Sequence, residues 1–453
     1  MIDTFPIAFE SRMRHSLGTA WDLFASAHEH SSPVAIRINP EKYKTEGPGQ
    51  RVPWSAHGRY LSERPVFTLD PLLHGGAYYV QEASSMFLEQ VFRQIVGPAQ
   101  PLTLLDLCAA PGGKSTHLLS LVNRESLLVA NEVIRSRATI LLENIEKWGS
   151  NNVVVTNNDP QDFQRLGGFF DIVVVDAPCS GEGLFRKDPQ SMKEWSADHV
   201  MLCSKRQRRV VSDIWPTLKE DGILIYSTCT YSTLENEENL KWLKSASNVE
   251  FLSLRLEDDW GIETIAQDGI IGYRFYPHRV NGEGFFMAVI RKKEKHHQPS
   301  IGNLKKTFNT ASKKIMEQLD HWIKDDEDFT FIQREHLLQF FSSRHRQAIE
   351  YLTRNLRLLS AGTFAATIKH EKLIPEHALA LSLHVRQENF AEISLTRTEA
   401  LQYLRKETLT IALPQRGFAL VQYEKLPIGW VNVLQNRLNN LYPAAWRIRM
   451  VDR

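Results

Sequence analysis

Cysteine is scarce in this sequence, and its spacing excludes two classes of site. The 453 residues contain four cysteines, and no two of them form a CxxC pair. Neither the disulfide framework of a small secreted domain nor a cysteine-rich zinc site is therefore expected. We expect reduced thiols, a cytoplasmic location and no bound metal.

The sequence also lacks an excess of charge of one sign, and it has no long apolar runs. The formal net charge is only +1, so a nucleic-acid partner would have to bind a local basic surface. The opening MIDTFPIAFESRMRHSLG has no apolar core of signal-peptide length, and no uninterrupted apolar run is long enough to cross a bilayer. We therefore expect no secretory leader and no membrane partner.

What the sequence does contain is a regular alternation of short apolar runs with helix-length segments. This pattern predicts an α/β fold with a mainly parallel sheet covered by helices on both faces. The predicted strands are Leu102–Leu107, Leu127–Ala130, Val153–Val155, Ile172–Val175, Ile223–Tyr226 and Phe286–Ile290, and the predicted helices are Lys114–Val122, Arg135–Trp148 and Met201–Thr217.

The length indicates about two or three domains. We expect a small α/β N-terminal subdomain at residues 1–75, the regular α/β domain at 76–292, a linker at 293–315 and a C-terminal α+β region at 316–453. The linker is rich in Lys, His, Ser and Asn, which favours a solvated tether over a phosphate-binding segment. Within the C-terminal region, the pattern predicts helices at 315–323 and 334–341 and strands at 363–368, 379–383, 409–412, 418–422 and 430–433.

Ligands of such sheets bind beyond the carboxyl ends of the strands, and polar residues are concentrated there. In LDLCAAPGGKS, residues 105–115, Gly112 and Gly113 allow a ligand to approach the main chain, and the following helix offers free N–H groups. The glycine spacing fits neither GxGxxG nor a P-loop. Lys114 either pairs with a carboxylate or is solvated.

Two acids follow the next strands. Glu132 can accept both hydroxyls of a ribose, and its position after the glycine turn favours cofactor binding over a solvated loop acid. Asp159 is a similar candidate, with a helix cap as the alternative. Together with the turn, these acids indicate a nucleotide-like cofactor.

Two thiols lie further along, Cys179 in DAPCSGEG and Cys229 in STCTY. C5 of cytosine becomes nucleophilic when a thiolate adds to C6, and a base must later remove the C5 proton; one thiol can serve each purpose. Asp176 could meet N3 and N4 of the ring and stabilise charge during the attack. Both thiols lie in polar turns, which disfavours the alternative of a small buried hydrophobe. Cys203 is better explained by helix packing.

Basic residues accompany these motifs. Arg186 and Lys187 follow the Cys179 turn, and a helix carries Lys205, Arg206, Arg208 and Arg209; such groups either hold RNA phosphates or are simply solvated. The stretch 417–450 mixes aromatic and basic residues, which suits RNA. We expect most of its aromatic side chains inside a small domain and its arginines outside.

The strings LDLCAAPGGKS, DAPCSGEG and STCTY, in that order, resemble the signature motifs of the Nop/Sun family of RNA cytosine-C5 methyltransferases. The resemblance covers roughly residues 30–292, including RIN at 37–39 and VQEASSM at 80–86. It implies an RNA-binding N-terminal subdomain at 1–75 and a Rossmann-like methyltransferase domain at 76–292, with Cys229 adding to C6 and Cys179 assisting release. It also implies S-adenosylmethionine as cofactor, held by Cys108, Ala109, Ala110, Pro111, Gly112, Gly113, Lys114, Glu132, Asp159 and Asp176.

The C-terminal strings YLRKETL and GFALVQYEKLPIGWVNVLQNRLNNLYPAAWRI are similar to the PUA-like RNA-binding module of bacterial members that modify small-subunit ribosomal RNA. This similarity implies a PUA-like β-barrel and a 16S ribosomal RNA or small-subunit substrate, and we expect a monomer that does not act on DNA. A tRNA methyltransferase and a non-catalytic RNA-binding or ribosome assembly factor are the alternatives. A redox or metal-binding role for the thiols is remote.

Overall fold

The structure, a computed structural model, describes residues 5–45, 47–97, 100–295, 308–370, 372–409, 411, 415–435 and 437–450. These residues form four β-sheets with helices packed against them. No helix among them is long and apolar enough to span a lipid bilayer.

The N-terminal region begins with helices α1 (Ile7–Leu17) and α2 (Trp21–Ala27). An antiparallel sheet and two short helices follow. The strands are β1 (Val34–Ile38), β2 (Gln50–Arg51), β3 (Gly58–Leu61) and β4 (Tyr78–Val80), in the spatial order β2-β3-β1-β4, and the helices are α3 (Pro71–His74) and α4 (Leu88–Val91).

Arg37 joins this small sheet to the next domain. Its Nε donates to Gln81 Oε1 at 2.8 Å, its Nη2 donates to Thr116 Oγ1 at 2.6 Å, and its guanidinium lies 4.4 Å from the ring centre of Trp148. Burial lowers the pKa of Arg37 to about 9. Because a buried cation is costly unless it is hydrogen-bonded, these contacts fix the N-terminal sheet against the helix that carries Thr116.

The central domain contains the predicted alternation of strands and helices. Each predicted strand and helix between residues 102 and 290 is present, with ends shifted by a few residues. The elements are β5 (Thr103–Asp106), α5 (Gly113–Leu121), β6 (Leu127–Asn131), α6 (Arg135–Trp148), β7 (Val153–Thr156), β8 (Phe170–Asp176), α7 (Pro189–Glu194), α8 (Ala197–Ile214), β9 (Leu218–Thr228), α9 (Glu237–Ala246), β10 (Val249–Phe251), β11 (Glu263–Gln267), β12 (Ile270–Phe275) and β13 (Phe285–Lys292).

The centre of this sheet is parallel, in the order β7-β6-β5-β8-β9. Its strands are rich in Val, Leu and Ile and are buried on both faces, between two core clusters, as a sheet covered by helices requires. Chain order reverses between β5 and β8, and this reversal opens a crevice beyond their carboxyl ends. The predicted α/β class is confirmed.

Antiparallel strands extend both edges, so the sheet as a whole is mixed. Strand β13 pairs with β9 and continues to β12 and β11, while β10 also pairs with β13. The other edge strand, which comes from the C-terminal region, pairs with β7. The sequence pattern predicted the strand at Phe286–Ile290, which is β13, but not its antiparallel direction and not the other added strands.

The C-terminal region contributes two further sheets, in the orders β14-β15-β16-β18-β19 and β20-β21-β22-β23. The elements are β14 (Asn309–Thr310), α10 (Lys313–Asp320), β15 (Phe329–Arg334), β16 (Leu337–Ser342), α11 (Arg346–Asn355), β17 (Leu358–Ala361), β18 (Thr363–Lys369), β19 (Lys372–Pro375), α12 (His377–Leu381), β20 (Ala391–Ser394), α13 (Arg397–Leu404), β21 (Gly417–Tyr423), β22 (Leu426–Val433) and β23 (Leu438–Asn440).

The helix predicted at 334–341 is wrong. This segment belongs to the hairpin of β15 and β16, with Glu335 at the turn and a φ of 54°. Leu338 and Phe340 pack into one core cluster and Phe341 into another. Because both faces of β16 are buried, its apolar side chains follow one another without alternation and imitate a helical pattern.

The strand predicted at 379–383 is also wrong, because α12 occupies most of it. All the side chains from His377 to Leu381 are buried, so the helix has no polar face that would reveal its period. The strands predicted at 363–368, 418–422 and 430–433 are present. Residues 410 and 412 of the run 409–412, and residues 296–307 of the predicted linker, lie outside the described residues.

Strand β17 crosses the proposed boundary between domains, since it pairs with β7 of the large sheet. Asn158 secures it: its Nδ2 donates to the Arg357 oxygen at 3.1 Å, and the Arg357 N–H donates to its Oδ1 at 2.9 Å. Asn131 donates in turn to the Asn158 and Leu107 oxygens. The C-terminal region is thus hydrogen-bonded to the loop that follows β5.

We predict that Asn158→Ala destabilises the chain by about 1 kcal/mol, because the Arg357 N–H loses its acceptor and the Arg357 oxygen keeps only the Asn157 N–H as donor. Chemical denaturation measures the change, and hydrogen exchange at 357–361 should accelerate. Asn248→Ala, at an exposed position, is the control. Unchanged exchange at 357–361 would contradict this account of the edge strand.

Two buried histidines lie where the N-terminal, central and C-terminal regions meet. Both ring nitrogens of His377 are buried without a hydrogen-bond partner among the described residues, and its ring packs edge-on against Tyr442 and Trp446. Burial, reinforced by the charge of Lys147, lowers the pKa of His377 to about 3 and that of His74 to about 4. Both histidines are therefore neutral in the folded chain at pH 7.

We predict that acid destabilises this junction. Since the unfolded histidines have a pKa near 6.5, the unfolded state binds more protons between about pH 6.5 and the folded pKa. Stability should be full above about pH 6.5 and fall towards pH 4, by on the order of 3 kcal/mol for each group. Denaturation at several pH values should show a shallower acid loss in His377→Gln than in the wild type. An equal slope in both proteins would refute the assignment, and exposed His336→Gln is the control.

Candidate active site

The loop after β5 turns at two glycines and is fixed by α6. Gly112 has a φ of 115°, in the left-handed region, and caps α5. The oxygens of Ala110 and Pro111 accept hydrogen bonds, both at 2.8 Å, from Arg137 Nη2 and Asn144 Nδ2. The loop is therefore held in one shape beside the ends of β5 and β6.

A cleft of about 590 Å³ opens beside this loop, a volume suited to a nucleotide-sized ligand. Residues predicted to bind cofactor line one side, and basic residues of α8, which the sequence suggested for RNA phosphates, line the other. The charged and polar lining includes Cys108, Glu132, Asp159, Lys205, Arg206 and Arg209.

Glu132 presents an unsatisfied oxygen to this cleft. Its Oε1 accepts the Ile134 N–H at 2.9 Å, whereas its buried Oε2 has no hydrogen-bond partner among the described residues. The nearest cation, Arg137 Nη1, is 3.5 Å from Oε2. Because an unpaired buried carboxylate oxygen is costly, a ligand hydroxyl that donates to Oε2 would be favoured. An acceptor at this position fits a ribose hydroxyl of S-adenosylmethionine.

Asp159 both caps a helix and lines the cleft, the two positions that the sequence allowed for it. It caps the short 3₁₀ helix Pro160–Leu166, with its Oδ1 accepting the Gln161 N–H at 3.1 Å. It also lines the cleft and lies 3.1 Å from Arg209 Nη2. A ligand in the cleft would meet this ion pair.

Apolar residues of the cleft were missed by the sequence analysis. Val133, Ile134 and Leu202 line it, and each is about half exposed. Exposed apolar side chains directly after a strand-end acid were the available signal, since they can face the plane of a base.

Lys114 connects the loop after β5 with the carboxyl end of β8. Its Nζ lies 2.8 Å from Asp176 Oδ2, and Ser227 Oγ donates to Asp176 Oδ1 at 2.8 Å. Burial acts to lower the pKa of Lys114, but its ion pair with Asp176 and the nearby Cys229 raise it overall. Of the two descriptions the sequence allowed for Lys114, pairing with a carboxylate is the one observed.

The two thiols converge at the carboxyl ends of β8 and β9. Cys179 Sγ and Cys229 Sγ are 2.9 Å apart, and the Cys229 N–H donates to Cys179 Sγ at 3.3 Å. All four cysteines are free, and both members of this pair are partly exposed. The hydrogen bond to Cys229, together with burial, raises the pKa of Cys179 well above its usual value. Cys203 is buried in the packing of α8.

The remaining predicted residues fall into two groups. Ala109 and Ala110 are buried and, with Pro111, Gly112 and Gly113, shape the loop but are not among the residues lining the 590 Å³ cleft. In the C-terminal stretch, Trp430 and Tyr442 are buried while Arg437, Arg447 and Arg449 are exposed, as expected. Within the described part of the chain, no group of three or more His, Cys, Asp or Glu side chains is arranged to hold a metal ion.

Three regions of the chain match known families. Residues 93–291 match the family described as 16S rRNA methyltransferase RsmB/F, residues 5–83 match the N-terminal domain of 16S rRNA methyltransferase RsmF, and residues 390–448 match the methyltransferase RsmF PUA domain. The predicted methyltransferase and PUA-like regions are therefore confirmed.

Whole-chain relatives agree with these matches. Ribosomal RNA small subunit methyltransferase F of Enterobacter sp. is 30% identical over 97% of this chain and 95% of its own length. The protein of the same name from Vibrio campbellii is 32% identical over 90% of both chains. A solved methyltransferase homologue from Pyrococcus horikoshii is 30% identical over 61% of this chain and 91% of its own, with a TM-score of 0.52. The chain belongs to the ribosomal RNA small subunit methyltransferase F family, whose members are S-adenosylmethionine-dependent enzymes.

Proposed function

We propose that this enzyme methylates C5 of a cytidine in 16S ribosomal RNA, with Cys229 as the nucleophile and Cys179 assisting release. The observation that carries the proposal is the 2.9 Å approach of two free, partly exposed sulfurs beside Asp176 and a cofactor-sized cleft. A single thiol is enough for the attack on C6 of the ring. The second thiol, at the same position, is suited to assist removal of the C5 proton.

The Cys229 thiolate forms a bond to C6, and the C5–C6 π electrons move so that C5 becomes nucleophilic. C5 would then form a bond to the electrophilic methyl group that S-adenosylmethionine supplies when bound, while the S–CH₃ bond breaks and its electron pair stays on the sulfur of the leaving thioether. The C5 proton then passes to a base, the C6–S bond breaks, and the aromatic ring and the Cys229 thiolate are restored.

The hydrogen bonds between the thiols support this division of roles. Cys179 Sγ accepts the Cys229 N–H, and the raised pKa of Cys179 keeps its proton on sulfur. The Cys179 S–H can then donate to the Cys229 sulfur, which leaves Cys229 as the partner with the free electron pair. After Cys229 has bonded to C6 its negative charge is gone, and one cause of the raised pKa of Cys179 is removed.

Asp176 and Lys114 would orient the base. The Asp176 side chain is 37% exposed, so it remains accessible to the N4 amino group and N3 of a cytosine despite its ion pair. Lys114 is held by that ion pair next to Cys229. A fixed charge pair of this kind stabilises a developing charge without reorganisation.

The family name of the relatives and the exposed arginines of residues 437–449 support ribosomal RNA as substrate. Arginines outside an aromatic core suit phosphate contacts. A tRNA substrate is the alternative to be tested. Action on RNA rather than DNA, a monomeric state and a cytoplasmic location stay predictions.

We predict that Cys229→Ala abolishes methyl transfer, whereas Cys179→Ala leaves a slowly resolving RNA–protein adduct, because attack survives and release fails. Bisulfite sequencing of total RNA from cells that express each variant measures methylation in 16S ribosomal RNA and in tRNA, and denaturing gels detect the adduct. Cys203→Ala, outside the pair, is the control. Normal methylation by Cys229→Ala would overturn the proposal, and methylation confined to tRNA would favour the alternative substrate.

We predict that Glu132→Ala weakens S-adenosylmethionine binding by roughly 10- to 100-fold, the loss expected for a charge-assisted hydrogen bond of about 1.5–3 kcal/mol. Calorimetric titration measures the affinity. Glu143→Ala is the control, since Glu143 pairs with Lys147 on α6 outside the cleft. Equal affinities of the Glu132→Ala and wild-type enzymes would remove Glu132 from the cofactor site.

A further inference from the structure

The two cysteines lie on separate loops, and their close approach needs a cause. We call residues 177–184 the Cys179 loop and residues 229–236 the Cys229 loop. Each follows the carboxyl end of its own strand, β8 or β9. Loops at strand ends are the most mobile part of such a sheet, so strand pairing alone does not hold two sulfurs 2.9 Å apart.

Glu235, a buried carboxylate of the Cys229 loop, reaches across to the Cys179 loop. Its Oε2 accepts the Ser180 N–H at 2.9 Å, and its Oε1 accepts the Ser180 hydroxyl at 2.5 Å. Ser180 Oγ also lies 3.0 Å from Thr230 Oγ1. The residue after one cysteine is therefore bonded to two residues of the loop that carries the other.

Gln207 of α8 completes this arrangement. Its Nε2 donates to Glu235 Oε2 at 2.8 Å and to the Pro178 oxygen at 3.0 Å. A helix of the rigid core is thus bonded to both loops on either side of the thiol pair. Both oxygens of Glu235 are occupied by donors, although its side chain is fully buried.

A second carboxylate, Glu182, reaches from the Cys179 loop to the Cys229 loop. Glu182 of the Cys179 loop accepts the Tyr231 N–H of the Cys229 loop at 3.2 Å, and the Gly183 N–H donates to the Cys229 oxygen at 2.9 Å. Glu182 also binds Arg12 of α1 at 2.6 Å. The loops are therefore joined on both sides of the sulfurs.

Burying a carboxylate costs several kcal/mol unless its hydrogen bonds are good. The burial of Glu235 is therefore tolerated only because its hydrogen bonds to both loops are formed. We propose that Glu235 is a positioning residue that sets the distance between Cys179 and Cys229. It touches neither sulfur and acts through Ser180. This inference rests on the proposed function of the two thiols, which needs them at one ring at the same time.

Two substitutions of Glu235 separate the effect of its side-chain length from the effect of its charge. Glu235→Gln keeps the length of the side chain, and its amide oxygen can take the place of Oε2 while the Ser180 hydroxyl rotates to accept from the amide NH₂. Glu235→Asp keeps the charge but is one methylene shorter. A positioning role predicts that Gln substitutes better than Asp, whereas an acid–base role of the carboxylate predicts the reverse.

The rate at which phenylarsine oxide bridges Cys179 and Cys229 reports how close the two thiols are, without RNA or cofactor. The arsenic bonds to both sulfurs, and one water is lost. In the full-length enzyme we expect bridging of Cys179 and Cys229, located by peptide mass spectrometry, to be at least about tenfold slower in Glu235→Asp than in the wild type. Glu235→Gln should stay within about threefold of the wild-type rate. In single-turnover reactions with RNA, Glu235→Asp should accumulate adduct because release is impaired more than attack.

Glu237→Gln is the matched control. Glu237 is a buried carboxylate two residues further on, but it pairs with Arg274. It should lower the melting temperature without changing the rate of arsenic bridging. Ser180→Ala, which removes one bond to Glu235, should slow bridging by a smaller factor and serves where Glu235→Asp does not fold.

The outcomes distinguish the two proposals. Unchanged bridging in a folded Glu235→Asp or in Ser180→Ala, or a better result for Asp than for Gln, overturns the positioning role and leaves the proposed function intact. Normal methylation by Cys229→Ala overturns the proposed function whatever the bridging rates. Slow bridging in Glu235→Asp with recovery in Glu235→Gln supports the inference, since a general loss of folding would also slow it in Glu237→Gln.

Discussion

The parallel pairing of β8 with β9 decides where the reactive groups of this enzyme lie. In its register Asp176 is opposite Ser227, and the Ser227 hydroxyl donates to the Asp176 carboxylate. Because the two strands end at the same level, a few residues of chain bring Cys179 and Cys229 together. A slip of one residue would turn the side chains of a strand to its other face. The site therefore depends first on the apolar packing of two strands that are buried on both faces.

The crevice between β5 and β8 adds the second constraint. A strand reversal leaves space for a ligand on the β6 and β7 side, while the thiols lie on the β9 side. Lys114 spans the two: it begins at the cofactor loop and ends at Asp176. A buried ammonium without this partner would be costly, so the position of the loop and that of the substrate carboxylate are coupled through one ion pair.

The sequence predicted that Cys179 and Cys229 lie at neighbouring strand ends, and the two sulfurs lie together there. This part was predictable because short apolar runs separated by helices are typical of a parallel sheet covered on both faces. The runs at 334–341 and 379–383 misled because residues 338–341 and 377–381 are buried one after another, so the exposed positions that would reveal a period are missing there. Glu235 gave no signal, since an acid in a polar loop is ordinary until the structure shows Ser180 beneath it.

Strand β17 changes how the C-terminal region relates to the rest of the chain. A tail tethered only by a linker could gain or lose RNA without consequence for the cofactor cleft. Here the tail adds a strand to the large sheet, and Asn158 and Asn131 continue its hydrogen bonds to the Leu107 oxygen at the cofactor loop. The hydrogen bonds that order residues 357–361 and those that order the cofactor loop therefore run through the same two buried side-chain amides, Asn158 and Asn131.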